Sequence, residues 1–188
     1  MASFGQIHSR PRDALHSVSA RLYKFAIVLT VNEELARALL RSTLKALNTR
    51  KEFTEDDRDH LTGAFRRMCA LWSAKLAEDP NIHKKCQPDA RLFAAAMPRG
   101  PLAGNAHFAK FIANMPSQQR AALYLVYGES CSYDEAADVT ALHMMALMKL
   151  LARGHVALSH WLDHRGLSDG ASRSDYDMDA ATGRERAA

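Results

Sequence analysis

Residues 132–155, SYDEAADVTALHMMALMKLLARGH, read as two helices around a tight turn, and this reading sets the fold class of the chain. Ser132 and Glu135 have capping-box spacing: the hydroxyl can accept from the backbone N–H three residues on while the carboxylate reaches back, which marks a helix start and no chemistry. That first helix ends near Val139 and the next begins near His143, the spacing with which a helix-turn-helix sets its second helix in a major groove. The second helix is nearly all Met, Leu and Ala. A helix apolar almost all round is usually buried or held against a partner, and Met is the adaptable residue of protein-binding grooves.

Upstream, the apolar residues keep a helical period throughout. Leu15, Val18, Leu22, Phe25 and Leu29 share one face of a first helix that stops at Thr30-Val31-Asn32. Asn32 is placed to cap a second helix with Glu33 and Glu34 in its first turn and Leu35, Leu39, Leu40, Leu44 and Leu47 on its inner side. After a charged connector, Thr54 heads a third helix that carries Leu61, Phe65, Met68, Trp72 and Leu76. Pro80, Pro88, Pro98, Pro101, Gly100 and Gly104 then interrupt the pattern, leaving a helical turn or two between Ala90 and Met97. A further helix spans His107 to Asn114, and another restarts at Met115-Pro116 and runs to Tyr127, with Gly128 at a C′ position. The expected architecture is all-α: three helices over residues 10–78, a linker over 79–105, four shorter helices over 106–164 that include the helix-turn-helix, and a disordered tail over 165–188, poor in large apolar residues.

Composition narrows the function. The chain has 188 residues, 47% hydrophobic and 24% charged, enough to bury a core. Its 25 Lys+Arg against 21 Asp+Glu give a net charge of +4, compatible with a nucleic-acid partner. Three widely spaced cysteines, Cys69, Cys86 and Cys131, suggest free thiols in a reducing cytoplasm. No leader pattern and no apolar run near bilayer length is present, so the expectation is a cytoplasmic protein without a membrane partner. His83-Lys-Lys-Cys86 has metal-like spacing but no second pair nearby, and there is no phosphate loop, nucleophile elbow or HExxH. No metal, cofactor, small-molecule substrate or enzymatic activity is expected.

Met115-Pro-Ser-Gln-Gln-Arg-Ala-Ala-Leu-Tyr-Leu-Val126, followed by Glu129 and Ser132-Tyr-Asp-Glu-Ala-Ala137, closely resembles region 4 of extracytoplasmic-function (ECF) RNA polymerase sigma factors. Leu22-Tyr-Lys-Phe-Ala26, Leu29-Thr30 and Thr43-Leu-Lys-Ala-Leu47 are similar to the first two helices of region 2, and the likeness covers residues 10 to 162. Linker length and the Gln-Arg helix look most like the general-stress branch of alphaproteobacteria. The resemblance implies two helical domains, promoter recognition with core RNA polymerase, and control by an anti-sigma factor. Domain 2 would open the −10 element and domain 4 would place its second helix at the −35 element. Phosphates need Lys or Arg and unstacked bases need aromatic platforms, so Arg66, Arg67, Trp72 and Lys75 are the −10 candidates. Lys149, Arg153 and His155 are the −35 candidates. Core packing is the competing role for Trp72, and a solvated face the competing role for the two arginines.

Several positions depart from the family. Where its second helix carries acids facing polymerase, this chain has, with the register ambiguous by one residue, Arg37 or Ala38 and Arg41 or Ser42, with Lys45 beyond, so the interface charge is reversed. The turn Gly is Ala141, which suggests an altered turn, because Ala at positive φ costs on the order of 1 kcal/mol. The cap Ser is His143, and the basic readers are Met148 and Leu150. Met144, Met148 and Leu150 are therefore candidates, with Arg37, Arg41 and Lys45, for a polymerase or anti-sigma interface. The rival reading is a sigma-factor mimic that binds an anti-sigma factor without reading promoter DNA.

Overall fold

The structure is a computed structural model that describes residues 11–48, 57–82, 89–96 and 105–165. Among these residues the chain is all-α, with no strand. Its helices are α1 (Pro11–Thr30), α2 (Glu33–Asn48), α3 (Asp57–Glu78), α4 (Ala90–Ala96), α5 (Ala106–Ala113), α6 (Ser117–Leu123), α7 (Tyr133–Thr140) and α8 (Met144–Arg165). Contacts divide the chain into two compact units, Met1–Ala152 and Arg153–Ala188. The expected start signal at Thr54, the His83–Cys86 pair and the tail beyond 165 lie outside the described residues.

The turn between α1 and α2 follows from its side chains. Val31 takes a left-handed conformation at φ 51°, and its N–H bonds the Ile27 carbonyl at 2.7 Å. The Thr30 hydroxyl lies 2.9 Å from the Ala26 carbonyl and 3.0 Å from that of Asn32. Asn32 caps α2, its Oδ1 accepting from the Leu35 N–H at 3.0 Å, and Glu33 and Glu34 occupy the first turn where the helix dipole favours acids. The inner face of α2 is Ala36, Leu39 and Thr43, whereas Leu35, Leu40, Leu44 and Leu47 are only half-buried.

The core of the first unit forms where α1 and α3 meet α6 and the residues after it. Phe25 stacks obliquely on Phe65 at 4.7 Å between ring centroids and on Tyr124 at 5.7 Å. Leu22, Val28, Met68, Phe93, Leu125, Val139 and Leu147 are fully buried around them. Phe93 belongs to α4, within the span expected as a linker. The Asp89 N–H bonds the Val31 carbonyl at 3.0 Å, tying the start of α4 to the end of α1, and α4 packs on α1 and α5. One anchoring aromatic is enough to draw a Pro-interrupted segment into a core, and periodicity cannot detect it in seven residues.

Two local expectations change. The helix from Ser117 does not end at a left-handed Gly128. Residues Tyr124–Gly128 form a π-turn, and the left-handed residue is Ser130, at φ 54°. Gly128 serves close approach instead, since a Cβ there would sit 3.2 Å from the Tyr124 ring. The second helix of the helix-turn-helix is not short either: α8 spans 22 residues, as long as α3.

Candidate functional site

The helix-turn-helix forms as its first half dictates. Ser132 caps α7 in a complete capping box, with the Glu135 N–H 3.1 Å from Ser132 Oγ and the Ser132 N–H 2.7 Å from Glu135 Oε2. Ala141 holds the left-handed turn at φ 53°, ψ 35°, so the turn is retained rather than altered, with the strain carried by an alanine. His143 replaces a conventional cap. Its carbonyl accepts from the N–H groups of Ala146 and Leu147, and its ring Nδ1 lies 3.4 Å from the Met145 N–H.

The apolar character of α8 is split between two faces. Leu147 and Leu151 are buried, and the backbone carbonyl of Leu150 lies 3.4 Å from Gln119 Nε2. Met145 and Met148 point outward, 61% and 40% exposed, while Met144 and Leu150 are half-buried. Lys149 is exposed in the first unit, and Arg153 and His155 are exposed in the second. No Arg, Asn or Gln occupies the first turns of α8 for bidentate base readout.

On α3, Arg66, Arg67 and Lys75 are exposed, whereas Trp72 is 2% exposed and belongs to the core. A ring so placed presents no face to a base in this conformation. At about 100° per residue, Arg66 and Lys75 lie on opposite sides of the helix, so the α3 candidates do not converge on one stripe. Arg66 is ion-paired with Asp138 of α7, the first helix of the helix-turn-helix. On α2, Arg37, Arg41 and Lys45 recur every four residues along the solvent face, with Arg37 also paired to Glu33 one turn earlier.

Arg120 has the most demanding environment, and its role was not legible beyond its place in the Gln-Arg motif. It is 4% exposed, and its guanidinium donates to the carbonyls of Val28 (2.7 Å), Leu29 (2.7 Å), Ala113 (3.1 Å) and Met115. Val28 and Leu29 are in the last turn of α1 and Ala113 ends α5, so one cation caps two helix C-termini whose carbonyls have no helical partner. Burial lowers its pKa to about 10, so it remains charged at neutral pH. Nearby, Tyr124 donates its hydroxyl to Glu129 Oε1 at 2.7 Å, and Glu129 also pairs with Arg21 of α1. Burial first, and the Glu129 hydrogen bond second, raise the Tyr124 pKa. These bonds join α1 to α6 and to the residues that lead into the helix-turn-helix. The Gln119-Arg120 motif is the sequence signal that pointed there.

Among the described residues no group of three His, Cys, Asp or Glu side chains is placed to hold a metal ion, and no helix is long and apolar enough to cross a membrane. Cys69 and Cys131 form no disulfide among the described residues.

No family model matches the chain, and no curated protein matches it. Among solved structures it is similar to the sigma factor RpoE, determined in complex with the anti-sigma factor NepR from Bartonella quintana. The identity is 17%, the alignment covers 81% of this chain and 96% of that one, and the TM-score is 0.62. At that identity the likeness speaks to the fold: the chain has the all-α fold of an ECF sigma factor.

Proposed function

We propose that the chain is an ECF-type RNA polymerase sigma factor acting in a stress response in the cytoplasm, with core polymerase, promoter DNA and an anti-sigma factor as partners. The observation that carries this reading is the helix-turn-helix. Its capping box and left-handed turn join α7 to α8 in the order of a helix-turn-helix, a motif that can set its second helix in a major groove, inside a chain that shares the fold of a solved sigma factor. Lys149, Arg153 and His155 supply phosphate contacts, and Arg66, Arg67 and Lys75 do so on α3; Trp72 joins them only if α3 is uncovered. The solved neighbour was captured with an anti-sigma factor, which supports the same class of partner here.

A second reading is favoured by the outward methionines. Met148 presents adaptable apolar surface where a basic DNA reader is expected, Met145 adds a second exposed methionine beside it, and Arg37, Arg41 and Lys45 give α2 a cationic face. In that reading the chain is a sigma mimic that occupies an anti-sigma factor. Reconstitution separates the two: the full chain is mixed with core polymerase and assayed for co-elution and promoter-dependent run-off transcripts, and in parallel for anti-sigma capture. Specific initiation supports the sigma factor. Anti-sigma capture with no core binding and no transcript refutes it in favour of the mimic.

A further inference from the structure

Between α1, the end of α4 at Ala96 and the π-turn that leads into the helix-turn-helix lies a half-open cavity of about 280 Å³, away from the DNA-binding candidates. Two of its lining residues, Arg21 and Lys24, are cations three residues apart on α1, so they share one side of that helix. The carboxylate in the wall, Glu129, is already engaged. Its Oε1 accepts from the Tyr124 hydroxyl at 2.7 Å, and its Oε2 accepts from Arg21 Nε at 2.8 Å and pairs with Nη2. Exposure within this pair is unequal, 7% for the Glu129 side chain against 45% for that of Arg21. The negative end is therefore inside and satisfied, and the positive end faces solvent. Arg21 Nη1 has no partner among the described residues, and the exposed Lys24 forms no hydrogen bond or ion pair among them.

Two cations against one carboxylate leave the wall with an excess of one positive charge, and because Arg21 already answers Glu129, the unbalanced charge is that of Lys24. A cationic ligand finds no uncommitted carboxylate here. An ammonium and a guanidinium are donors only, so the group they hold together is an anion with several acceptor oxygens, and a phosphate reaches both. The volume is close to the ~300 Å³ lower end of small-molecule sites, which fits a compact ligand and not a dinucleotide. We propose that this cavity binds a compact phosphate monoester, its phosphate held by Lys24 Nζ and Arg21 Nη1. Glu129 and Tyr124 are positioning residues that fix the guanidinium, and Gly128, which adds no side chain to the wall, leaves room for the organic part. Because α1 and the π-turn supply the site jointly, an occupied site stabilises their packing.

Full-length protein is dialysed to equilibrium against radiolabelled glycerol 3-phosphate at constant ionic strength, with wild type, Lys24→Gln, Lys24→Arg and Arg41→Gln compared. Wild type should bind one equivalent saturably. Lys24→Gln should weaken binding about 10-fold, the effect of one charge-assisted contact, whereas Lys24→Arg keeps the charge and should stay within about threefold. Arg41→Gln removes the same charge from α2, outside the cavity, and should leave binding unchanged. Lys24 is exposed, so far-UV circular dichroism of Lys24→Gln should match wild type. No saturable binding to wild type, or wild-type affinity in Lys24→Gln, would overturn the site. An equal loss in Lys24→Gln and Arg41→Gln overturns it too, because binding then follows net charge alone. Inorganic phosphate should displace the label where lactate, a monocarboxylate, does not; displacement by lactate and not by phosphate overturns the phosphate assignment. None of these outcomes depends on binding to polymerase or promoter.

Discussion

Replacing Arg120 with Met removes the four hydrogen bonds from its guanidinium to the carbonyls of Val28, Leu29, Ala113 and Met115 while roughly keeping the side-chain length. Charge-assisted hydrogen bonds contribute about 1.5 kcal/mol each at the low end of their range, or about 6 kcal/mol for four. Against this stands the cost of burying the cation. A pKa lowered from 12.5 to about 10 corresponds to about 3 kcal/mol, and this is recovered when the charge is removed. The expected net loss is therefore about 3 kcal/mol, within the range for breaking a buried charged interaction. Urea unfolding at pH 7, followed by circular dichroism at 222 nm, measures it as a lower midpoint. Arg120→Lys should fall between wild type and Arg120→Met, because an ammonium has three donors and no planar fork. A loss below about 1 kcal/mol for Arg120→Met would show that the four carbonyls find water or other partners easily, and that Arg120 is not the clasp between α1 and α6.

Three further outcomes follow from the same geometry. Ala141→Gly should stabilise the protein by about 0.5–1 kcal/mol, because Gly relieves the left-handed strain at φ 53° and returns part of the gain as backbone entropy; a lower urea midpoint than wild type would contradict it. Gly128→Ala should cost about 1–3 kcal/mol, since the new Cβ lies 3.2 Å from the buried Tyr124 ring, and thermal melts should show a lower midpoint. Burial pushes the Cys69 thiol up to about 12 and also raises Tyr124, so both groups bind their protons more tightly folded than unfolded. Their contribution is complete below the unfolded values and is lost as pH rises through the folded ones. Urea midpoints should therefore fall between about pH 8.5 and 11, with a shallower decline in Cys69→Ala; equal slopes would refute the assignment for Cys69.

The fold class was legible because it rests on local rules. Helical periodicity placed Leu22, Phe25, Phe65 and Met68 on inner faces, and Asn32 and the Ser132–Glu135 box cap helices by bonds between residues three apart. Such interactions are specified wholly within a few residues of chain. The same holds for most of the charges: Arg37, Arg41, Arg66, Arg67, Lys75 and Lys149 lie on the surface, as long ionised side chains do unless they are paired.

What the sequence did not decide depends on which segments meet. Nothing local distinguishes a solvated Arg120 from one that caps α1 from 91 and 92 residues away, or an Arg66 open to phosphate from one already answered by Asp138. Trp72 has the same apolar spacing whether it is a core residue or a stacking platform, and packing against the residues of α6 and α7 places it in the core. The greasy helix after His143 likewise held two possibilities, and burial divided them, with Leu147 and Leu151 inward and Met145 and Met148 outward. The sequence by itself determined the helical class and the caps at Asn32 and Ser132; only tertiary contact decided which charges are paired or buried, because desolvation and pairing are set by neighbours far along the chain.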